Sequence, residues 1–383
     1  MPINTINGDS GSATGAAITI TGSTSGAVFT ASGSTITESF NYLALPTTTS
    51  VNGQITINSS PYFHGYGTDN VFAGKSAGNF TLTGTQNVGI GSNVMALATT
   101  AGNNVFVGYN SASAGIVSGT GNNVAVGFQA MLSLTSATNC VAVGFNALAD
   151  NLTGANNTCV GSTAGQHVTG NDNTAIGNGA LAHTGNTGTN NTCVGSSALS
   201  ALAGAGSYNS CFGFQAGNAY TTTESSNILI NNTGTAGDSN VCRVGASTGT
   251  GTQQLNKTFI HGIRGITTVN ADAVAVLVDS VGQLGTVSSS IRYKENVEDM
   301  GDVSSPVMNL RPVTFDFIGK PSHKKQVGLI AEEVYEIMPD LVVHNMDGDI
   351  ESVKYHELPV LLLNELQKVL KRIEVLEAKV SDK

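Results

Sequence analysis

The chain has 383 residues, of which 47 are glycine and none is tryptophan, and only 11% are charged. This composition is poor material for a conventional globular core and favours a repetitive architecture. The formal net charge of −10 argues against nucleic-acid and anionic-membrane partners, because such binding depends on clustered Lys and Arg. Residues 1–285 carry 4 basic and 9 acidic side chains, whereas residues 286–383 carry 12 and 17, which predicts a boundary there.

The N-terminal segment, residues 1–60, is rich in Ser, Thr and Gly and contains alternating stretches such as AITITGS and GQITINSS. This alternation predicts a thin β-rich arm with weakly specified pairing. We expect the arm to attach the protein to a virion or another large particle, and a flexible tail is the alternative. The first residues lack the charged and apolar regions of a signal peptide, and no apolar run approaches the ~18 residues of a membrane span. The sequence therefore predicts assembly in the cytoplasm without a membrane span.

Residues 61–250 contain a repeated unit of about 17 residues with the form NNxxVGxxA. The glycines that close the units are Gly74, Gly91, Gly108, Gly127, Gly144, Gly161, Gly177, Gly195, Gly213 and Gly245. A fixed short period is typical of a solenoid, whose units bury apolar side chains only by stacking on their neighbours. The Val- and Ile-rich core of each unit predicts a short strand, and the residues after the glycine predict a second strand or a corner. We expect a parallel β-roll or β-solenoid with two strands per coil, and a Gly- and Asn-rich linker is the alternative.

The apolar residues of each unit predict two surfaces, because side chains alternate across a strand. Phe106 takes one surface, and Val105 and Val107 take the other. One surface can fill the interior of the coil, and the other needs cover, which a homotrimer would supply. Three cysteines share the register of Phe106 and are expected to pack in the same stack: Cys159, Cys193 and Cys211. The repeated Asn residues are expected to cap turns and to form hydrogen-bonded ladders between coils.

The cysteines and histidines predict no metal site and no cofactor. The five cysteines are an odd number without a CxxC pair, which argues against a disulfide framework and against a zinc site. The seven histidines are scattered, and none forms a ligand pair at metal spacing.

Residues 251–288 predict a neck between the shaft and the C-terminal region. They contain two strand-like stretches, TFIHGIRGI and AVAVLVDSVGQLGTV. His261 and Arg264 are interpreted as neck or interface residues with no chemistry.

Residues 289–383 predict a small α+β domain. LRPVTFDFIG predicts a strand, QVGLIAEEVYEIMPDLVV a strand and a short helix that ends near Pro339, and NMDGDIESVKY a hairpin around Asp347 and Gly348. A long terminal helix follows, with apolar residues at alternating steps of four and three: Leu362, Leu366, Val369, Ile373, Leu376 and Val380. This heptad seam predicts a coiled coil of two or three strands. A helix packed on its own domain is the alternative.

Both parts of the chain resemble known families. The shaft repeat resembles the head repeats of trimeric autotransporter adhesins, which are left-handed parallel β-rolls, although those repeats are usually shorter. The C-terminal motifs are SSIRYKEN at 289–296, LRPVTF at 310–315, GLIAEEV at 328–334 and VKY at 353–355, followed by the terminal helix. Together they resemble the intramolecular chaperone domain of endosialidase-type phage tailspikes and tail fibres. The resemblance implies that the domain trimerises a β-rich fibre and then releases itself by self-cleavage.

The same resemblance implies a Ser–Lys dyad, with Ser289 as the nucleophile and Lys294 as the base. A serine hydroxyl needs a nearby base, and a lysine can serve only if burial or neighbouring cations lower its pKa from about 10.4. Ser290 stands where the family usually has Asp, and it is the alternative nucleophile. A polar linker without chemistry is the other interpretation of residues 288–294.

These observations predict a homotrimeric tail-fibre or tailspike-like protein that binds a cell-surface receptor or glycan. It would reside in the virion or at an extracellular surface, and its C-terminal domain would nucleate trimerisation before releasing itself. The alternative is a cell-surface adhesin or structural filament that keeps this domain as an uncleaved trimer clamp. A carbohydrate-active tailspike enzyme is the least favoured hypothesis, because no two acidic residues of the shaft share a repeat position where a carboxylate pair could act on a sugar.

Overall fold

The computed structural model describes residues 45–50, 52–114, 121–246, 255, 257–260, 263–264, 268–270, 272–318, 325–345 and 347–381. It divides into two compact units, Met1–Phe259 and Ile260–Lys383. Most of the predicted N-terminal arm lies outside the described residues, as does His261.

A single sheet runs through the described part of the first unit, with its strands in chain order. It starts with an antiparallel hairpin of β1 (Gln54–Ile57) and β2 (Ser60–His64), and β2 pairs antiparallel with β3 (Val71–Ala73). Three-residue strands follow, each parallel to the one before it: β4 (Val88–Ile90), β5 (Val105–Val107), β6 (Val124–Val126), β7 (Val141–Val143), β8 (Thr158–Val160), β9 (Thr174–Ile176), β10 (Thr192–Val194), β11 (Ser210–Phe212), β12 (Ile228–Ile230) and β13 (Cys242–Val244). The predicted parallel β-solenoid is confirmed.

The prediction of two strands per coil is wrong for the described shaft, where the residues after each glycine form a turn. Met131 and Leu148 lie in two such turns and have φ angles of 51° and 49°. The backbone N–H of Met131 donates to the carbonyl of Ala147 in the next coil at 2.9 Å. A left-handed residue in each turn reverses the chain too sharply for a strand to continue. Each coil therefore has one strand and one hydrogen-bonded corner.

The glycine at the end of each strand permits close contact between coils. Gly127 has a φ of 144°, and a Cβ atom at this position would lie 2.3 Å from the carbonyl oxygen of Gly144. Only glycine can adopt this backbone conformation and also leave room for the neighbouring carbonyl group. The regular spacing of the glycines is therefore a packing requirement.

The middle residue of each strand from β3 to β12 faces the interior of the coil and is buried. Phe106, Cys193 and Cys211 are fully buried, and the two cysteines are paired in register on β10 and β11. The predicted packing role of these cysteines is confirmed. Burial raises the pKa of the Cys211 thiol to about 12, so the thiol stays protonated and unreactive.

A buried asparagine ladder runs beside the strands, as predicted. The Oδ1 atom of Asn173 accepts hydrogen bonds from the backbone N–H and the Nδ2 of Asn191 at 3.0 and 3.1 Å. Asn191 accepts the same pair from Asn209. Two runs share this arrangement: Asn70, Asn87, Asn104 and Asn123, then Asn157, Asn173, Asn191, Asn209 and Asn227. Cys140 stands between the runs, where its thiol lies 3.2 Å from the carbonyl oxygen of Gly154.

His64 closes the N-terminal end of the solenoid core. Its ring centroid lies 5.1 Å from that of Phe72 and 4.5 Å from that of Phe80. Its Nδ1 accepts from the backbone N–H of Tyr66 at 3.3 Å, and its Nε2 donates to the carbonyl of Ala77 at 2.7 Å. Burial lowers the pKa of this histidine, so the neutral ring is the form that the cap holds.

A cap of charged side chains lies at the C-terminal end of the solenoid, where the sequence departs from the repeat. The Asp238 carboxylate accepts from the Tyr220 hydroxyl at 3.0 Å and from the Nε and Nη2 of Arg243 at 2.8 Å each. The hydrogen bonds from Arg243 lower the pKa of Asp238 to about 2. Glu224 accepts from the backbone N–H groups of Thr222 and Gly237. This cap gave no signal in the sequence, because its members are far apart in a unit that departs from the repeat.

The second unit contains three antiparallel strand pairs and two α-helices among its described residues. The pairs are β14 (Leu277–Val278) with β15 (Leu284–Gly285), β16 (Val313–Phe315) with β17 (Gln326–Gly328), and β18 (Val342–His344) with β19 (Ile350–Val353). The helices are α1 (Ala331–Ile337) and α2 (Leu358–Ser381). The predicted α+β elements are confirmed. A small core lies between α1 and the β18–β19 pair: Val334, Leu341, Val342 and Val353.

Helix α2 leaves its predicted heptad seam exposed. Leu366 and Ile373 are 55% and 44% exposed, and no described residue of the helix is buried. The side chains that tie the helix to its own domain, among them Asn364 and Lys368, lie outside the seam. The seam is therefore available for a partner.

Candidate catalytic site at Ser289

Residues 288–294 enter the C-terminal domain through a single 3-10 turn, Ile291–Tyr293. Serine is a preferred cap residue because its hydroxyl can accept from a backbone N–H group. Here Ser290 caps the turn, and its Oγ accepts from the backbone N–H of Arg292 at 3.4 Å. The backbone N–H of Lys294 donates to the carbonyl of Ile291 at 3.1 Å. The turn brings the lysine back toward residue 289.

The turn places Ser289 and Lys294 in contact. The Nζ atom of Lys294 lies 3.2 Å from the Oγ of Ser289, which is within hydrogen-bond distance. Both residues are exposed. The Oγ of Ser290 lies instead 3.2 Å from the Nε of Arg292. These contacts favour Ser289 over the alternative nucleophile, Ser290, as the partner of the lysine.

A second serine–lysine contact in the same unit has different electrostatics. The Nζ of Lys368 lies 3.0 Å from the Oγ of Ser305, but it also lies 2.7 Å from Glu365 and 3.1 Å from Asp302. The hydrogen bond to Glu365, followed by that to Asp302, raises the pKa of Lys368. A lysine held in its protonated form cannot accept a proton from a serine. This pair is therefore structural, and its 63-residue separation gave no signal in the sequence.

Ser304 fastens the first turns of α2 to the domain. Its side chain is fully buried, donates to the Oε1 of Glu365 at 2.5 Å and accepts from the Nδ2 of Asn364 at 2.6 Å. Asn364 also donates to the carbonyl of Gly301 at 2.8 Å. The helix can therefore keep its place on the domain without using its seam.

The other motifs of the domain contact one another. The guanidinium group of Arg311, in LRPVTF, makes two hydrogen bonds to the carboxylate of Glu333, in GLIAEEV. The Tyr355 hydroxyl, in VKY, accepts from the backbone N–H of Leu329 at 2.9 Å. Three of the four motifs that carried the family resemblance are therefore joined in the folded domain.

The C-terminal segment matches a known family. Residues 289–343 match the family model described as the chaperone of endosialidase. The match starts at Ser289, includes Lys294 and ends before α2. With the solenoid that precedes it, the chain fits an endosialidase-type tail protein with a C-terminal chaperone domain. No curated protein and no solved structure matched the chain.

Two further kinds of site, a membrane span and a metal cluster, are absent from the described residues. No described helix combines the length and the apolar character needed to cross a bilayer. Within the same residues, no group of three or more His, Cys, Asp and Glu side chains is placed to hold a metal ion. His167 and Asp150 form a surface pair on the shaft, with Nδ1 and Oδ2 2.5 Å apart.

Proposed function

We propose that this protein is a homotrimeric, tail-fibre-like structural protein whose chaperone domain nucleates assembly and then releases itself by cleavage at Ser289. The observation that carries the proposal is the 3.2 Å contact between Ser289 and Lys294, at the start of the segment that matches the chaperone family. Receptor or glycan binding, attachment to a virion through the N-terminal arm and an extracellular or virion location belong to the same proposal, and the family match supports them.

The outer surface of the shaft supports self-association. Val126, Val143 and Ile176 project from their strands away from the filled interior, and each is about 40% exposed. Beside them an exposed aromatic stack continues over three coils: Tyr109, Phe128 and Phe145, with ring centroids 5.5 and 5.3 Å apart. A continuous exposed apolar surface of this kind is typical of an interaction site. We propose that other copies of the chain cover it.

The seam of α2 supports a nucleating role for the C-terminal domain. Parallel sheets form slowly, and the exposed apolar surface of the shaft favours aggregation during assembly. A coiled coil that gathers three chains raises the local concentration of their shafts and sets their relative register. Leu362, the first seam residue, also lines an apolar groove with Val307, Leu310 and Tyr355, which extends the surface available to a second copy.

The proposed cleavage needs only the chain and one water molecule. The Oγ of Ser289 attacks the carbonyl carbon of Ser288, and the peptide bond between these two residues breaks as the ester bond forms. Lys294, as the neutral amine, takes the hydroxyl proton and passes it to the departing amino nitrogen of Ser289. Water then hydrolyses the ester, leaving a carboxylate on Ser288 and restoring the hydroxyl of Ser289.

Trimer formation is the proposed trigger. In the single chain both members of the pair are exposed, and water then favours the charged form of a lysine. Burial of Lys294 between subunits would favour the neutral amine and so make it a base. The cleavage would thereby follow assembly and make it irreversible, because the nucleating domain would have left.

The test compares the full-length wild type with the Ser289→Ala and Lys294→Ala variants on denaturing gels and by mass spectrometry. We expect wild type to separate into residues 1–288 and 289–383, and both variants to stay intact. Ser305→Ala is the matched control, because it removes a serine from a lysine that is held charged, and it should cleave like wild type. An intact wild-type chain would refute self-cleavage, and a native mass of one chain would refute the trimer.

The second candidate is an adhesin or filament that keeps the domain as an uncleaved trimer clamp. The exposure of both Ser289 and Lys294 favours it, because an exposed lysine is a poor base. The same gel distinguishes the two functions: a trimer by native mass that remains full length supports the clamp.

A further inference from the structure

We infer that Ser290 is a positioning residue for the cleavage, with its hydroxyl holding the turn that brings Lys294 to Ser289. This inference rests on the proposed function of the site. In the sequence, Ser290 is only the alternative nucleophile. Its contacts in the folded chain indicate a different task.

The Ser290 hydroxyl contacts both the backbone and the side chain of Arg292. Its Oγ accepts from the backbone N–H of Arg292 at 3.4 Å and lies 3.2 Å from the Nε of the same residue. The guanidinium carbon of Arg292 also lies 5.6 Å from the ring centroid of Tyr293, a distance at which a cation is attracted to the ring. Ser290 thus fixes both the start of the turn and the side chain of its middle residue.

The turn determines how far the lysine side chain must reach. The backbone N–H of Tyr293 donates to the carbonyl of Ser290, and that of Lys294 donates to the carbonyl of Ile291, each at 3.1 Å. Ser290 is also half-buried, whereas Ser289 is exposed. Loss of the cap would leave the first turn held by backbone contacts alone, and Lys294 would sample positions away from the nucleophile. Placing a base within reach of its proton is a large part of its catalytic effect.

An aspartate should perform the same task as Ser290. Aspartate is as good a cap as serine, and its carboxylate would accept the same two hydrogen bonds with the added attraction of the Arg292 charge. It cannot act as the serine nucleophile of the proposed step. The Ser290→Asp variant therefore separates a positioning role from a nucleophilic one.

The experiment measures the rate of self-cleavage in full-length Ser290→Ala and Ser290→Asp variants beside wild type and Ser289→Ala. We expect Ser290→Ala to cleave about tenfold more slowly, because the free-energy cost of losing a cap corresponds to roughly a tenfold change in rate. Ser290→Asp should cleave at least as fast as wild type. A wild-type rate in Ser290→Ala would overturn the inference, as would a Ser290→Asp rate no faster than that of Ser290→Ala. Cleavage that persists in Ser289→Ala and disappears in Ser290→Asp would instead make Ser290 the nucleophile.

A second measurement keeps the inference testable if wild type does not cleave and the proposed function fails. Amide hydrogen exchange over residues 291–294 is followed in the Ser289→Ala chain with Ser, Ala or Asp at position 290. Exchange should be fastest with Ala and slowest with Asp, because the cap protects the amide of Arg292. Equal exchange in the three chains would overturn the inference.

Discussion

The shaft and the chaperone domain differ in how many apolar side chains they bury within one chain. Among the described residues, the buried apolar cluster of the shaft contains 32 residues, whereas that of the C-terminal domain contains four. Each coil of the shaft closes its own core by stacking on the next coil. The domain leaves its longest helix with an exposed seam. The shaft therefore specifies its coils within one chain, whereas the exposed seam is the surface on which we propose that partner chains complete the domain.

The largest effect is expected from charges placed on the seam. Leu366→Glu combined with Ile373→Glu should abolish the trimer, because charged side chains at core positions of a coiled coil lose the apolar contacts that hold the helices together. Native mass measurement of the full chain checks this. Lys371→Glu changes a charge on the same helix outside the seam and should leave the trimer intact. A trimer in the double variant would mean that the shaft associates without the helix.

Added volume between coils should be the next most damaging change. A Cβ at Gly127 would lie 2.3 Å from a backbone oxygen of the next coil, so Gly127→Ala should destabilise the shaft by about 3 kcal/mol or more. Gly237 also has a positive φ, of 88°, but has nothing within 4 Å of its added Cβ. Gly237→Ala should cost only about 1 kcal/mol of backbone strain. Urea denaturation followed by circular dichroism measures both, and similar losses would contradict a packing role for the repeat glycines.

The asparagine ladder should be sensitive to the loss of one amide. Asn191→Asp replaces two hydrogen-bond donors with a buried carboxylate oxygen, and we expect a loss of about 2–4 kcal/mol in the free energy of unfolding. Asn190→Asp is the matched control, because Asn190 is exposed and the chain already has Asp172 at the equivalent place in the preceding coil. Its effect should stay below about 0.5 kcal/mol. The same denaturation assay applies, and equal sensitivity at both positions would argue against the ladder.

Acid should weaken the two ends of the shaft in different pH ranges. The pKa of His64 is lowered from 6.5, so its stabilising effect is complete above that pH and is lost as the pH falls below it. The pKa of Asp238 is lowered from 3.8 to about 2, so its contribution is lost between those values. Partial exposure of Arg243 limits this second contribution to about 1 kcal/mol. Thermal unfolding measured from pH 7 to pH 2 should show both steps.

Two variants test which side chain causes each loss of stability. His64→Gln removes the group that titrates first and should flatten the stability curve just below pH 6.5. Asp238→Asn should flatten it below about pH 4. Unchanged curves in both variants would show that other groups control acid stability.

Much of the fold was predictable because the repeat imposes the same local requirement many times. The strand register, the packing cysteines and the asparagine ladder all follow from a period that places like residues in contact. The corner was predicted less well, because Met131 and Leu148 adopt a left-handed backbone conformation that their residue types do not favour. The end caps at His64 and Asp238 were missed, because they occur once and join residues without periodicity.

For the C-terminal region, the composition boundary, the Ser289–Lys294 spacing and the heptad seam could all be read from the amino-acid sequence. The folded structure was needed to show that Ser290 caps the turn, that Lys368 is held charged beside Ser305 and that the seam residues stay exposed. The physical reason is that spacing along a chain fixes which residues a turn or a helix can bring together. Burial, hydrogen-bond partners and neighbouring charges depend on segments that meet only after folding.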